Sequence, residues 1–169
     1  LETEYLVEQI MSDLRTRFGD RPFNVVECGV GTGVISLSLA LAFPNASIWG
    51  CDLCKEAYQL ACYNRSQLEV SGVSFRQGDF FELEESWSTV IAHANPTVFV
   101  SNPPYISTSE VGSLEDSVRL FEPNLALDGG DDGLDYYRRF FDLFRKLPVD
   151  LYLEIGYNQY DVLFKWLSA

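Results

Sequence analysis

A doubly wound, parallel α/β sheet is the fold that this chain of 169 residues predicts. Three observations predict it. Short apolar, β-branched runs alternate with segments of helical spacing along the whole sequence. The first run leads into a glycine loop and then a helix, the strand–turn–helix arrangement on which α/β proteins hold ligands. Acidic residues stand at the ends of three successive runs, at Glu27, Asp52 and Asp79. Five strands joined by crossovers make a Rossmann-like sheet with helices on both faces, in the expected spatial order 3-2-1-4-5.

The elements follow in order. Residues 4–18 read as a helix, with Tyr5, Leu6, Ile10, Leu14 and Phe18 near helical spacing. Residues 24–28 are a strand, 29–33 the glycine loop, and 34–43 a helix ended by Pro44. Residues 47–51 are the second strand, and 55–68 a helix that Ser71-Gly72 separates from a third strand, 73–77. Residues 80–95 read as irregular with helical pieces. Thr97-Val98-Phe99-Val100-Ser101 is a short, buried fourth strand. Residues 102–133 form a long loop with one short helix near 113–120. A loop of that length in a compact domain is usually a lid or a binding loop. Residues 134–147 are a helix, 151–155 the fifth strand, and 160–167 a final helix. That fifth strand is expected to be an exposed edge, uncharged until Glu154, of the kind that invites pairing with another chain.

Composition narrows the function classes. Twelve basic against 25 acidic residues give a net charge of −13, which argues against holding nucleic acid through its phosphates. No apolar run approaches the ~20 residues a membrane span needs. The opening segment 1–18 is amphipathic and acidic rather than a leader. The cysteines are Cys28, Cys51, Cys54 and Cys62. Cys51 and Cys54 have C-x-x-C spacing, but there is no second close pair and only one histidine, His93, in the expected loop 92–96. No metal is therefore expected. Free thiols suit a reducing compartment, the cytoplasm or an organellar matrix.

The loop Glu27-Cys28-Gly29-Val30-Gly31-Thr32-Gly33 lacks the dinucleotide fingerprint, because Val34 and Ser36 stand where that pattern needs glycine. In an open α/β sheet the carboxyl ends of the strands share the ligand-binding edge, so Glu27, Asp52 and Asp79 gather there. Asp52 is placed to accept hydrogen bonds from two ribose hydroxyls. Asp79 offers an acceptor for an exocyclic amine and Phe80 a flat apolar face for a purine. A glycine loop with three carboxylates suits a cationic nucleoside, and S-adenosylmethionine fits that description.

The fourth strand ends in Asn102-Pro103-Pro104-Tyr105. Proline fixes φ, carries no N–H and forces its predecessor out of the helical region, so the turn is stiff. It presents the Asn102 carboxamide, proline carbonyls and one aromatic ring, a cradle for a planar amide or amino group. Accepting that group's two N–H bonds at Asn102 Oδ1 and the Pro103 carbonyl localises its nitrogen lone pair. Tyr105 covers its face. Catalysis here is orientation and electrostatics.

Together, Glu27 to Gly33, Asp52, Asp79-Phe80 and Asn102 to Tyr105 resemble the class I S-adenosylmethionine-dependent methyltransferases that modify planar nitrogens. The more specific resemblance is to the HemK/PrmC family, the glutamine methyltransferases of peptide-chain release factors. It is carried also by Leu1-Glu2-Thr3-Glu4, where Leu stands for the usual Pro, and by Val118-Arg119-Leu120-Phe121-Glu122-Pro123. Ala126-Leu127, Gly129-Gly130-Asp131-Asp132-Gly133 and Leu153-Glu154-Ile155-Gly156 complete it. The resemblance covers nearly the whole chain as one methyltransferase domain. It implies cofactor contacts at Glu27, Gly29, Val30, Gly31, Thr32, Gly33, Asp52, Leu53, Asp79, Phe80 and Asn102. It assigns catalysis to Asn102, Pro103, Pro104 and Tyr105, which hold the glutamine of a Gly-Gly-Gln loop. Phe80 stands where some members carry Trp.

The partner implied is a peptide-chain release factor, with no membrane and no direct hold on nucleic acid. The family's helical N-terminal domain and its final antiparallel hairpin have no counterpart in this sequence, so the chain is expected to be the cofactor-binding core of a longer protein. Other readings stay open. They are a glutamine methyltransferase of a ribosomal protein, a DNA adenine or cytosine amino-methyltransferase that flips its base, and a non-catalytic cofactor-binding subunit.

Overall fold

In the computed structural model, which describes residues 2–92, 95–115, 123–145 and 147–168, the sheet has five strands in the order β3-β2-β1-β4-β5. These are β1 (Asn24–Cys28), β2 (Ser47–Asp52), β3 (Val73–Gln77), β4 (Thr97–Ser101) and β5 (Val149–Leu153). The described helices are α1 (Glu2–Arg17), α2 (Val34–Ala42), α3 (Lys55–Gln67), α4 (Glu84–Ile91), α5 (Thr108–Val111), α6 (Asn124–Leu127), α7 (Asp135–Phe144) and α8 (Tyr160–Leu167). The chain divides into two compact units: Leu1–Ser101 with Pro148–Tyr152, and Asn102–Leu147 with Leu153–Ala169.

The first unit contains nearly the whole sheet. β1 pairs in parallel with β2 and β4, and β2 with β3. Every residue of β1 and β4 is buried. Strands covered on both faces lose the polar alternation of half-exposed ones, which is why Val25-Val26 and Val98-Phe99-Val100 are unbroken apolar centres, with the polar residues Asn24, Glu27, Thr97 and Ser101 at or near the strand ends. The register sorts the core into two faces. Val25 lies beside Ile48 and Val98, and Ile48 beside Val73, in one apolar cluster that also takes in Val7, Ile10, Leu14 and Phe18 of the α1 segment. Val26 lies beside Trp49 and Phe99. Both rings meet Phe80, which stacks on Trp87 of α4 at 5.1 Å.

The expected elements are recovered with three corrections. Ile10 and Leu14 of α1 and Phe18 just after it are buried as expected and Leu6 packs against them, but Val7 joins this face and Tyr5 is 66% exposed. Helical spacing admits either stripe, and the 7-10-14-18 stripe is the one that meets the sheet. β5 begins two residues before the expected strand and ends at Leu153. It therefore carries a charge: Asp150 pairs with Arg17, and the Tyr152 hydroxyl donates to Asp13. The expectation of an uncharged edge is overturned by these contacts from α1, which give a place in the strand to an aspartate that reads as loop. The long segment after β4 holds α5 and α6, on either side of the expected short helix, whose residues 116–120 lie outside the described residues. His93 and residues 118–122 lie outside them too.

The second unit is built on Leu134, Tyr137 and Leu163, with Tyr105, Phe141, Ile155, Val162 and Trp166 packed around them. Phe141 meets Trp166 edge-on at 6.1 Å, and the Arg138 guanidinium lies 5.4 Å from the same indole. The Tyr137 hydroxyl donates to the Glu154 carbonyl at 2.7 Å.

Candidate active site

The glycine loop has the backbone its sequence demands. Gly29, Gly31 and Gly33 have φ of 77°, 54° and 84°, where a side chain is strained. A Cβ at Gly29 or Gly31 would meet nothing within 4 Å, so both glycines leave open space above the backbone. Gly50 has a different reason: a Cβ there would come within 2.5 Å of Val30 Cγ1. Val30 is only 2% exposed, so it offers a ligand its backbone rather than its side chain. Thr32 is exposed, and its carbonyl accepts from Asn64 Nδ2 of α3 at 2.9 Å.

Asp52 ties the loop down. Its Oδ2 accepts from Gly31 N–H and its Oδ1 from Cys54 N–H, each at 2.8 Å. A carboxylate oxygen has two lone pairs, so each still has capacity for a ribose hydroxyl. Leu53 beside it is 46% exposed. Asp79 Oδ1 accepts from Phe81 N–H at 2.9 Å, a local turn that fixes the carboxylate after β3.

Two expected contacts take another form. Phe80 is 2% exposed, so its ring is packing rather than an open face. Its flat neighbour is Trp87, whose indole N–H donates to the Phe80 carbonyl. Glu27 is fully buried. Its Oε2 accepts from the backbone N–H and the hydroxyl of Ser36, in the first turn of α2. Its Oε1 has no hydrogen-bond partner among the described residues. Burial, reinforced by the negative charge of Asp52, pushes the Glu27 carboxyl up to about 8 against the opposing Ser36 bonds. A buried, orphaned carboxyl oxygen and an uncovered glycine backbone fit a ligand that brings a cationic or donor group.

In the second unit the Asn102–Tyr105 turn has Pro103 buried and Asn102, Pro104 and Tyr105 partly exposed. Beyond it, Ile106 bridges Asp128 in parallel. Ile106 N–H donates to Leu127 and Gly129 N–H to Ile106, at 3.1 and 2.8 Å. Asp128 Oδ1 accepts from the Thr108 hydroxyl and from Gly130 N–H, and the latter bond leads in holding its carboxyl below the usual range.

The sequence reading missed Ser36, Asn64 and Gln159. Ser36 is one of two serines in an otherwise apolar helix, and its place in the first turn, nine residues after the strand-end acid Glu27, is the signal for it. Gln159 carried no local signal apart from its place three residues after Gly156.

The comparisons agree with this architecture. Residues 20–108 match the methyltransferase domain family. The release factor glutamine methyltransferase of Bacillus subtilis (strain 168) is 38% identical over 162 residues, 94% of this chain and 54% of that protein. That of Caulobacter vibrioides is 36% identical over 162 residues, 94% and 53%. That of Enterococcus faecalis is 35% identical over 171 residues, 99% and 57%. The chain thus spans about half the length of the curated relatives it matches. Among solved structures, the hMettl16 catalytic domain in complex with a MAT2A 3'UTR hairpin superposes with a TM-score of 0.69. It is 12% identical, with 96% of this chain and 61% of that one covered, a likeness of fold alone. The chain belongs to the methyltransferase domain family and, within it, to the S-adenosylmethionine-dependent HemK/PrmC methyltransferases.

Proposed function

We propose that this chain is the cofactor-binding and catalytic domain of an enzyme that methylates the side-chain amide of the glutamine in a Gly-Gly-Gln motif of a peptide-chain release factor. One observation carries the reading. An Asn-Pro-Pro-Tyr turn leaves the end of β4, in a chain whose matched relatives are named for that reaction. The substrate and partner belong to the proposal, and so do a cytoplasmic or organellar-matrix location and the roles of the individual residues. Among the described residues no helix is long and apolar enough to cross a membrane.

S-adenosylmethionine, when bound, supplies an electrophilic methyl group on a sulfonium. Glu27 to Gly33 with Asp52, Leu53 and Asp79 would hold it, with backbone at the glycines, carboxylate acceptors at Asp52 and Asp79 and an orphaned oxygen at Glu27, while the buried Phe80 ring serves as packing. At the turn, Asn102 Oδ1 and the Pro103 carbonyl accept the two amide N–H bonds, which holds the nitrogen lone pair out of conjugation and leaves it free to attack. Pro104 keeps the turn rigid, and Tyr105 covers the amide plane. No strong base is needed before attack, because the amide sheds its proton only after the N–C bond has formed.

The test is methyl transfer from labelled cofactor to a Gly-Gly-Gln peptide and, in parallel, to an oligonucleotide. Label on the peptide alone is expected. Label on the oligonucleotide alone replaces this reading with an amino-directed nucleic-acid methyltransferase.

A further inference from the structure

The Asn102–Tyr105 turn has an anchoring problem of its own making. Two consecutive prolines leave positions 103 and 104 without N–H donors, so the turn cannot be tied down through them. Its carbonyls can still be held from outside. The Tyr105 carbonyl accepts from Gln159 Nε2 at 2.9 Å. The second N–H of the same amide goes to the Gly133 carbonyl at 3.1 Å, and Gln159 Oε1 accepts from Gly156 N–H at 2.9 Å. Gln159 is 6% exposed. Both of its donors are used, and each partner demands its own end of the amide. A flipped amide would set an oxygen against two carbonyls and an NH2 against an N–H.

The surrounding glycines make room for this clamp. A Cβ at Gly133 would lie 2.3 Å from the Tyr105 carbonyl oxygen and 2.9 Å from Gln159 Nε2. One at Gly129 would lie 2.7 Å from the Pro104 carbonyl oxygen. The glycines of the Gly-Gly-Asp-Asp-Gly segment are thus the surface on which the turn is seated, and Gln159 is the bolt.

We infer that Gln159 is a positioning residue for the proposed amide-methylating turn: through the Tyr105 carbonyl it sets the orientation of Tyr105 and of the proline carbonyls before it. This rests on the reading of Asn102–Tyr105 as the catalytic turn. An amide is suited to the task because it is neutral at every working pH, supplies two donors and one acceptor, and leaves no charge beside the substrate.

The experiment compares wild type, Gln159→Leu and Gln159→Glu in methyl transfer to a Gly-Gly-Gln peptide. Calorimetric titration of S-adenosylmethionine and amide hydrogen exchange at Tyr105 and Ile106 accompany it. Gln159→Leu is expected to lower kcat by about ten- to a hundredfold, the loss that a displacement of about 1 Å brings. Its cofactor Kd should stay within about twofold of wild type, and exchange at Tyr105 and Ile106 should quicken. Gln159→Glu should be impaired at pH 8 and recover towards pH 5, because the protonated acid regains one donor, whereas Gln159→Leu should show no such recovery. If Gln159→Leu does not fold, the pH profile of Gln159→Glu decides. Wild-type kcat in Gln159→Leu, or a flat profile in Gln159→Glu, overturns the inference. Absence of turnover in wild type rejects the functional reading instead, and hydrogen exchange alone then tests the clamp.

Discussion

The glycine loop and the Asn-Pro-Pro-Tyr turn follow neighbouring strands of one sheet, yet they are held in opposite ways. The loop after β1 is rich in N–H donors, and carboxylates fix it: Asp52 accepts from Gly31 and Cys54, and Glu27 accepts from Ser36. The turn after β4 is poor in donors, and an amide fixes it by donating to a carbonyl, Gln159 to Tyr105. The first arrangement leaves the Asp52 oxygens with spare acceptor capacity, which suits a ligand that brings donors or positive charge. The second leaves neutral carbonyls and an aromatic ring, which suits an uncharged planar amide. The contrast is the physical basis for assigning cofactor to one region and substrate to the other.

That comparison can be broken at several points. The largest expected effect is at the turn. Asn102→Ala should lower kcat for a Gly-Gly-Gln peptide by about a hundredfold or more while the fold persists, the scale for losing one aligned polar group at a reacting centre. Near-normal methylation by that variant would remove Asn102 from the orienting role.

Next is Glu27. A carboxyl at about 8 in the folded chain and at its ordinary 4.5 when unfolded binds more protons folded than unfolded between those values. Its contribution is present below about pH 4.5 and is lost as pH rises towards 8, by an amount on the order of a few kcal/mol. Glu27→Gln should flatten the melting-temperature profile between pH 5 and 8 relative to wild type. Parallel profiles for the two proteins would mean that Glu27 does not carry the proton.

The smallest effect belongs to the ion pair between α1 and β5. Arg17 and Asp150 are each more than a third exposed, so Arg17→Ala should cost only ~0–1 kcal/mol in urea melts. A larger loss would mean that the α1–β5 network governs the edge of the sheet more strongly than its exposure implies.

What the sequence disclosed follows the same division. β1, β3 and β4 were legible to the residue, because short β-branched and aromatic runs mark them: β1 and β4 are buried throughout, and β3 alternates buried Val73 and Phe75 with exposed Ser74 and Arg76. β5 was displaced because Asp150 looks like a loop residue until Arg17, 133 positions away, supplies its partner. Glycine-loop geometry is local, since the need for positive φ is written in the residues themselves. The burial of Phe80 is not, because it depends on Trp87, Trp49 and Phe99 arriving from three other elements. Gln159 is the extreme case. A glutamine at a helix start is unremarkable, and only the fold brings it to a carbonyl 54 residues earlier.

The most direct test of the division of labour is calorimetric titration of S-adenosylmethionine into Asp52→Ala and Tyr105→Ala side by side. Asp52→Ala loses charge-assisted acceptors and the anchor of Gly31, so its binding should weaken by about 1.5–3 kcal/mol, while Tyr105→Ala should bind as wild type does. Wild-type affinity in Asp52→Ala, or an equal loss in both variants, would contradict the account.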